Sequence, residues 1–323
     1  MTRKERPKVT LLAGGVGAAR LLRGLVSLVD PDHLTVVVNT GDDEDFYGLH
    51  VSPDLDTIVY TLAGLAPRDR GWGVRGDSRR VLDALERFYG PAWFALGDRD
   101  LATHVFRTDR LRSGATLSEC TREICAALDV LVRVLPATDD RLRTLLDTDE
   151  GTLAFQTYLV KRRGRPAVRA VRYDGSEASR PAPGVIEAIA TADVVIIAPS
   201  NPFVSIGPIL AVPGVRAALA HVRAKTVAVS PLIGGSAVKG PLAAMLASMG
   251  HGADVGAIAR IYRGLASVLL VAPGDGAVSL AGEDPRLVEH DILLDTAATA
   301  RRVSRFVLSL AAGRADGHAQ RRA

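Results

Sequence analysis

The chain has 323 residues, 47% hydrophobic and 24% charged, which supports a full globular core and excludes a fibrous or disordered chain. A formal net charge of only +4, with no dense basic tract interleaved with aromatics, argues against nucleic acid as a partner. No apolar run approaches the roughly 20 residues that span a bilayer, and the polar segment 1–8 leaves no room for a signal peptide's apolar core, so the expectation is a cytoplasmic protein with no membrane contact.

The first apolar run breaks at Ala13-Gly14-Gly15-Val16-Gly17-Ala18-Ala19-Arg20 into three glycines within four residues, and apolar residues then resume at helical spacing from Leu21 to Val29. This predicts a strand, a phosphate-cradling turn and a helix N-terminus whose free amides and partial positive charge favour an anion. The spacing matches neither the dinucleotide G-x-G-x-x-G nor the P-loop, and a ligand-free strand-to-helix turn also fits it. Leu34 to Val38 predicts the second strand, completing a β-α-β unit. Beyond it, Asp42, Asp43, Asp45, Asp54 and Asp56 put five aspartates within fifteen residues. A hard cation such as magnesium, beside a phosphate, would neutralise them; a solvated turn with Asp54 and Asp56 serving a helix start at Ser52-Pro53 is the alternative.

Residues 68–183 read as an inserted, helix-rich region, with helices near 77–89, 98–111 and 117–128 and strands near 130–135 and 167–173. Cys120 and Cys125 fall on one of these helices without disulfide or zinc-ligand spacing and read as core packing. Gly97-Asp98-Arg99-Asp100, followed by His104, is a polar run at a helix opening that would reach a site from this region. From Gly184 the α/β rhythm returns, with strands near 194–198, 226–229 and 267–271 and a last helix over 296–310. The expected fold is therefore α/β, a Rossmann-like doubly wound, mostly parallel sheet, with 1–67 and 184–323 as its core. Two further loops fall at strand ends: one presents Ser200, Asn201 and Ser205, the other Gly234, Gly235 and Lys239. No nucleophile-elbow pattern occurs, which leaves covalent hydrolase chemistry without support.

Together Ala13 to Arg20, Val37-Val38-Asn39-Thr40-Gly41-Asp42-Asp43, Ser52-Pro53-Asp54-Leu55-Asp56-Thr57, Leu96 to His104, Pro199-Ser200-Asn201-Pro202, Ser205-Ile206-Gly207-Pro208 and Val229 to Gly235 resemble the 2-phospho-L-lactate transferase family (CofD/FbiA) of coenzyme F-420 biosynthesis. The segments run in order across most of the chain. The resemblance implies a guanosine diphosphate-linked donor carrying a lactyl or enolpyruvyl group, a deazaflavin acceptor (7,8-didemethyl-8-hydroxy-5-deazariboflavin), Mg2+, release of GMP and a homodimer. On matching positions it implies donor binding by Gly14, Gly15, Val16, Gly17, Arg20, Ser200, Asn201, Ser205, Gly234, Gly235 and Lys239, and acceptor binding by Asp56, Asp98, Arg99 and His104. Magnesium would fall to Asp42, Asp43 and Asp54, and proton transfer to Asp43, Asp54 or Asp56. The glycine turn reads Gly-Gly-Val-Gly-Ala-Ala-Arg, which resembles the bacterial, enolpyruvyl-using branch, and Ala95 stands where some members carry a lysine. A rival of another class is a non-catalytic YvcK-like regulator that binds a sugar nucleotide; the two aspartate motifs at 39–43 and 52–57 separate it from the transferases.

Overall fold

Strands form where β-branched and leucine-rich runs let both faces of the pleat be covered. The computed structural model describes residues 7–237, 240–277 and 285–311. Within these, Val9–Ala13 (β1), Leu34–Val38 (β2), Arg133–Pro136 (β3), Val194–Ile197 (β4), Thr226–Val229 (β5), Val268–Val271 (β6) and Arg286–Glu289 (β7) build one sheet in the order β7-β6-β5-β4-β1-β2-β3. Every neighbouring pair is parallel. The chain winds outward from β1 to β2 and β3, then returns to β1's other side and winds outward again from β4 to β7. The topological switch point therefore lies between β1 and β4, where a doubly wound sheet opens a crevice for ligands.

Alternate residues of each strand feed two cores. One face buries Leu11, Val36, Ile196 and Leu270 under helices Gly15–Leu25 (α1), Pro53–Leu62 (α2) and Leu117–Ala127, with the last helix, Ala297–Ala311. The other buries Leu12, Val37, Ile197 and Leu269 under the helices between 185 and 262. Cys125 packs in the first core and Cys120 is also buried; burial pushes the Cys125 thiol up to about 12, so it stays a packing group. Among the described residues no single helix is long and apolar enough to cross a membrane.

The stretch 68–183, expected as one inserted region, divides in the structure. Helices Arg80–Tyr89 (α3) and Asp98–Arg112 (α4) stand over the end of the sheet, whereas the strand expected near 130–135 is β3, paired with β2 from Thr35↔Arg133 to Val38↔Pro136. A separate antiparallel sheet, 143–148, 151–154 and 168–174, flanks the crevice. Its strand 143–148 alternates buried and half-buried residues, a one-sided pattern weaker than the continuous apolar runs of the central sheet. The acidic loop carries a hairpin of its own, Glu44–Phe46 against Leu49–Val51, turned at Tyr47 and Gly48 with φ of 55° and 75°.

Candidate active site

At the carboxyl ends of β1 and β4, a cleft of about 550 Å³ opens at the switch point. Its sheet-side wall is the glycine turn. Gly15 holds φ +65°, a left-handed conformation that suits glycine, and a side chain on Gly17 would run into the backbone oxygen of Pro199, so the β1 and β4 loops meet at backbone contact. Ser200 ties them by donating from Oγ to the Gly14 carbonyl at 2.6 Å. Gly14, Gly15, Val16, Gly17, Arg20, Ser200, Asn201 and Ser205 all line the cleft, as expected of donor-binding positions. Asn201 also has a local duty, its Oδ1 accepting from Phe203 and Val204 amides that open the next helical turn.

The acidic loop forms the second wall, and its aspartates are not solvated. Asp42, Asp43, Asp54 and Asp56 are all buried, while Asp45, at the hairpin, is exposed. Asn39, fully buried at the end of β2, organises them: its Oδ1 accepts from the Gly41 amide, and its Nδ2 faces Asp54 Oδ2 at 2.9 Å and Asp42 Oδ1 at 3.2 Å. Gln156, from the helical turn that follows strand 151–154, donates to Asp42 Oδ2 at 3.1 Å. Burial, with Asp54 and Asp43 nearby, pushes Asp42 well above the ordinary carboxylate range. Burial pushes Asp54 up to about 7, with Asp43 adding to the shift and the Asn39 hydrogen bond opposing it. Asp54 also accepts from the Gly15 amide at the start of α1. A phosphate brought to the same turn therefore meets a carboxylate, and the two anions coexist only with a cation or a proton between them.

Asp43 stands apart. It lines a smaller cavity of about 250 Å³ behind the loop, its Oδ2 taking the Ser52 hydroxyl at 2.9 Å and facing His50 Nε2 at 3.2 Å. Its Oδ1 is buried with no hydrogen-bond partner. Asp42 and Asp54 face the cleft while Asp43 faces the smaller cavity, and among the described residues only Asp56, Asp100 and His104 bring three ligand atoms within 4.8 Å of one another. The expected set Asp42, Asp43 and Asp54 is therefore not gathered as a three-ligand site; Asp42 and Asp54 are the pair left to meet a hard cation from the cleft.

The far end of the cleft is built by α2 and α4. Asp56 and Tyr60 on α2, and Asp100, His104 and Arg107 on α4, recur at helical spacing and so share a face. Arg107, fully buried, pairs through both terminal nitrogens with the two oxygens of Asp56. Tyr60 donates to Asp100 Oδ1 at 2.8 Å, and His104 Nε2 lies 3.2 Å from the same oxygen. Aromatic side chains close the remaining side: Trp72, Trp93, Phe94 and Phe155 line the cleft, with Phe94 stacked on Phe46 at 4.1 Å and 12°.

Of the residues expected at the acceptor, Asp56 and His104 lie in the cleft, but Asp98 and Arg99 do not line it. Asp98 accepts from the Ser78 hydroxyl at 2.5 Å and from the Arg80 and Val81 amides, and Asp77 accepts in return from the Arg99 and Asp100 amides, a reciprocal cap between α3 and α4. Gly234 and Gly235 likewise lie outside the cleft lining, and the Gly234 amide is taken by Asp275 at 3.0 Å. Lys239 lies outside the described residues. Asn39, Tyr60, Asp100, Arg107 and Gln156 were given no individual role from the sequence; the spacing of Asp56 with Tyr60, and of Asp100 with His104 and Arg107, is the signal that would have found three of them.

A doubly wound sheet with a glycine turn, buried carboxylates and an aromatic wall lining a cleft at its switch point defines an α/β protein with a small-molecule site. The family model described as 2-phospho-L-lactate transferase CofD matches residues 9–304. The chain is 44% identical to a phosphoenolpyruvate transferase of Kitasatospora aureofaciens over 316 residues, covering 94% of this chain and 98% of that one. It is 38% identical to a 2-phospho-L-lactate transferase of Methanospirillum hungatei, covering 93% and 99% of the two chains. A crystal structure of a UPF0052 family member from Bacillus halodurans shares the fold, with a TM-score of 0.60 at 18% identity over 94% of this chain and 99% of that one. The chain belongs to the CofD family of 2-phospho-L-lactate transferases.

Proposed function

We propose that this protein transfers a phosphoenolpyruvyl group from enolpyruvyl-diphospho-5'-guanosine to 7,8-didemethyl-8-hydroxy-5-deazariboflavin, giving dehydro coenzyme F-420-0 and GMP, with the 2-phospho-L-lactyl donor as the close variant. The observation that carries this reading is the cleft itself, which sets the glycine turn against buried carboxylates and an aromatic wall within one space of about 550 Å³. Relatives at 44% and 43% identity carry the name phosphoenolpyruvate transferase, which favours that donor.

The donor's diphosphate would lie on the amides of the glycine turn, with Ser200 and Ser205 from the facing loop, and the flat deazaflavin against Trp93 and Phe94. The acceptor's terminal hydroxyl oxygen forms the new bond to the phosphorus bearing the enolpyruvyl group, and the bridging oxygen leaves with GMP. The hydroxyl proton would pass to a carboxylate of the cleft that does not hold the ion. Asp42 and Asp54, which face the cleft, would hold Mg2+, which would supply charge neutralisation at the diphosphate. The chain's own contribution is positioning and electrostatics rather than a covalent intermediate. The same reading makes the enzyme a cytoplasmic homodimer, which sedimentation of the purified protein checks.

The test is direct. Purified protein with Mg2+, the deazaflavin and each guanosine-linked donor should yield the phosphodiester and GMP by mass spectrometry, faster with the enolpyruvyl donor. No product with either donor would sink the assignment.

A further inference from the structure

Arg107 lies one turn after His104 on α4, and its Nη1 contacts three groups at once: Asp56 Oδ2 at 3.2 Å, His104 Nδ1 at 3.4 Å and the His50 carbonyl oxygen at 3.4 Å. His104 Nδ1 also lies 3.6 Å from Asp56 Oδ2, but that oxygen already accepts from Arg107; the guanidinium, which carries only donors and keeps its charge, is the nearer group and favours a lone pair on Nδ1. In a neutral imidazole the proton then sits on Nε2. That nitrogen lies 3.2 Å from Asp100 Oδ1 but makes no aligned hydrogen bond, and Asp100 Oδ1 already accepts from Tyr60. His104 is 1% exposed and lines the cleft. A buried ring N–H without a partner costs free energy unless a ligand takes it.

Asp56, Asp100 and His104 also bring three ligand atoms within 4.8 Å of one another, a spacing that suits a divalent ion. Arg107 decides against one. Its charge already occupies both oxygens of Asp56, and a second cation on the same carboxylate would meet strong repulsion in a buried setting.

We propose that Arg107 is a positioning residue that takes the place of a cation at this end of the cleft and, acting through Asp56 and His104, fixes His104 as the Nε2–H tautomer, so that His104 donates to an oxygen of the acceptor. The identity of that acceptor rests on the transferase reading; the tautomer does not. The assignment explains why this acidic trio, unlike Asp42, Asp43 and Asp54, carries its own counter-charge.

Two measurements test it. In protein labelled with 15N in histidine, long-range ring correlations of His104, assigned by their loss in His104→Gln, should show a single ring proton, on Nε2, without any substrate present. In turnover, Arg107→Lys should raise the acceptor KM roughly tenfold, the loss of about one charge-assisted hydrogen bond, and leave the donor KM unchanged. His104→Gln, whose amide can replace Nε2–H, should raise the acceptor KM less than His104→Asn, whose amide lies near Nδ1. A ring proton on Nδ1, a doubly protonated ring, or a folded Arg107→Lys with unchanged acceptor KM would overturn the proposal. Should Arg107→Lys fail to fold, the spectrum and the Gln–Asn comparison still decide. Failure of the transferase reading looks different: no turnover by the unaltered protein, with the tautomer as stated.

Discussion

Two acidic clusters share one cleft and solve the same problem in opposite ways. At the glycine turn, Asp42 and Asp54 are held only by uncharged donors, Asn39, Gln156 and the Gly15 amide, and burial with mutual repulsion raises both. At the acceptor end, Asp56 is equally buried but faces a guanidinium on both oxygens. One cluster is left open to a positive charge that the ligands bring, and the other is closed by a charge the chain supplies. On the proposed function, the open cluster would take the diphosphate and its ion, and the closed one the neutral, hydrogen-bonding acceptor.

The largest effect separating the two is on stability. Arg107→Met should destabilise the fold by about 3–5 kcal/mol, because Asp56 is left as an uncompensated buried carboxylate, and urea unfolding followed by circular dichroism reads it. Asp54→Asn should act in the opposite sense. It removes a buried repelling charge, so the ion-free protein unfolds at equal or higher urea, while turnover falls by about 100-fold or more and Mg2+ no longer raises the melting temperature. Equal destabilisation by both variants would erase the distinction between the clusters.

A smaller effect follows from pH. A carboxylate whose folded pKa is raised binds protons more tightly folded than unfolded, so ion-free stability falls as pH rises from the ordinary range near 3.8 through about 7 for Asp54. Asp42, raised in the same direction, adds to the trend. Carboxylates held low by partners, such as Asp147 beside Arg172, change stability only at more acidic pH, but histidines titrate between about pH 5 and 8, so the Asp54 contribution is read as the difference between the unaltered protein and Asp54→Asn. Relative to Asp54→Asn, the ion-free urea midpoint should drop across that interval, and saturating Mg2+ should flatten the drop. A pH profile that coincides with that of Asp54→Asn would mean that Asp54 is not buried as a charged group.

Much of the fold was legible because its signal is hydrophobic. The runs Val9–Ala13, Leu34–Val38 and Val194–Ile197 are buried on both faces and read as parallel strands without help. Strand β7, half-buried at the sheet edge, and the one-sided strand 143–148 carry no such run, and neither was expected. In the site, glycine spacing and clustered aspartates marked both walls by type. The sequence pattern could not separate the roles of neighbours: Asp98 and Asp100 lie two residues apart in one motif, yet helical geometry turns them about 200° from each other, one to the cap and one to the cleft. Arg107, one of 35 arginines, had only its helical spacing from His104 as a local signal; its approach to Asp56 across two helices is what identifies its role.

That division of Asp98 from Asp100 yields the smallest prediction and the sharpest control. Asp98 is half-buried and held low by the Ser78 hydroxyl and the Val81 and Arg80 amides, a cap on α3 whose hydrogen bonds go to no cleft residue. Asp98→Asn keeps one accepting oxygen but loses the charge, so it should lower the melting temperature slightly and leave both KM values unchanged. Asp100→Asn changes the same atoms two residues on, where Tyr60 and His104 converge, and should raise the acceptor KM with little change in donor KM. If the two substitutions shift the acceptor KM alike, α4 does not present the face to the cleft that the structure gives it, and the closed, arginine-balanced cluster loses its claim on the acceptor.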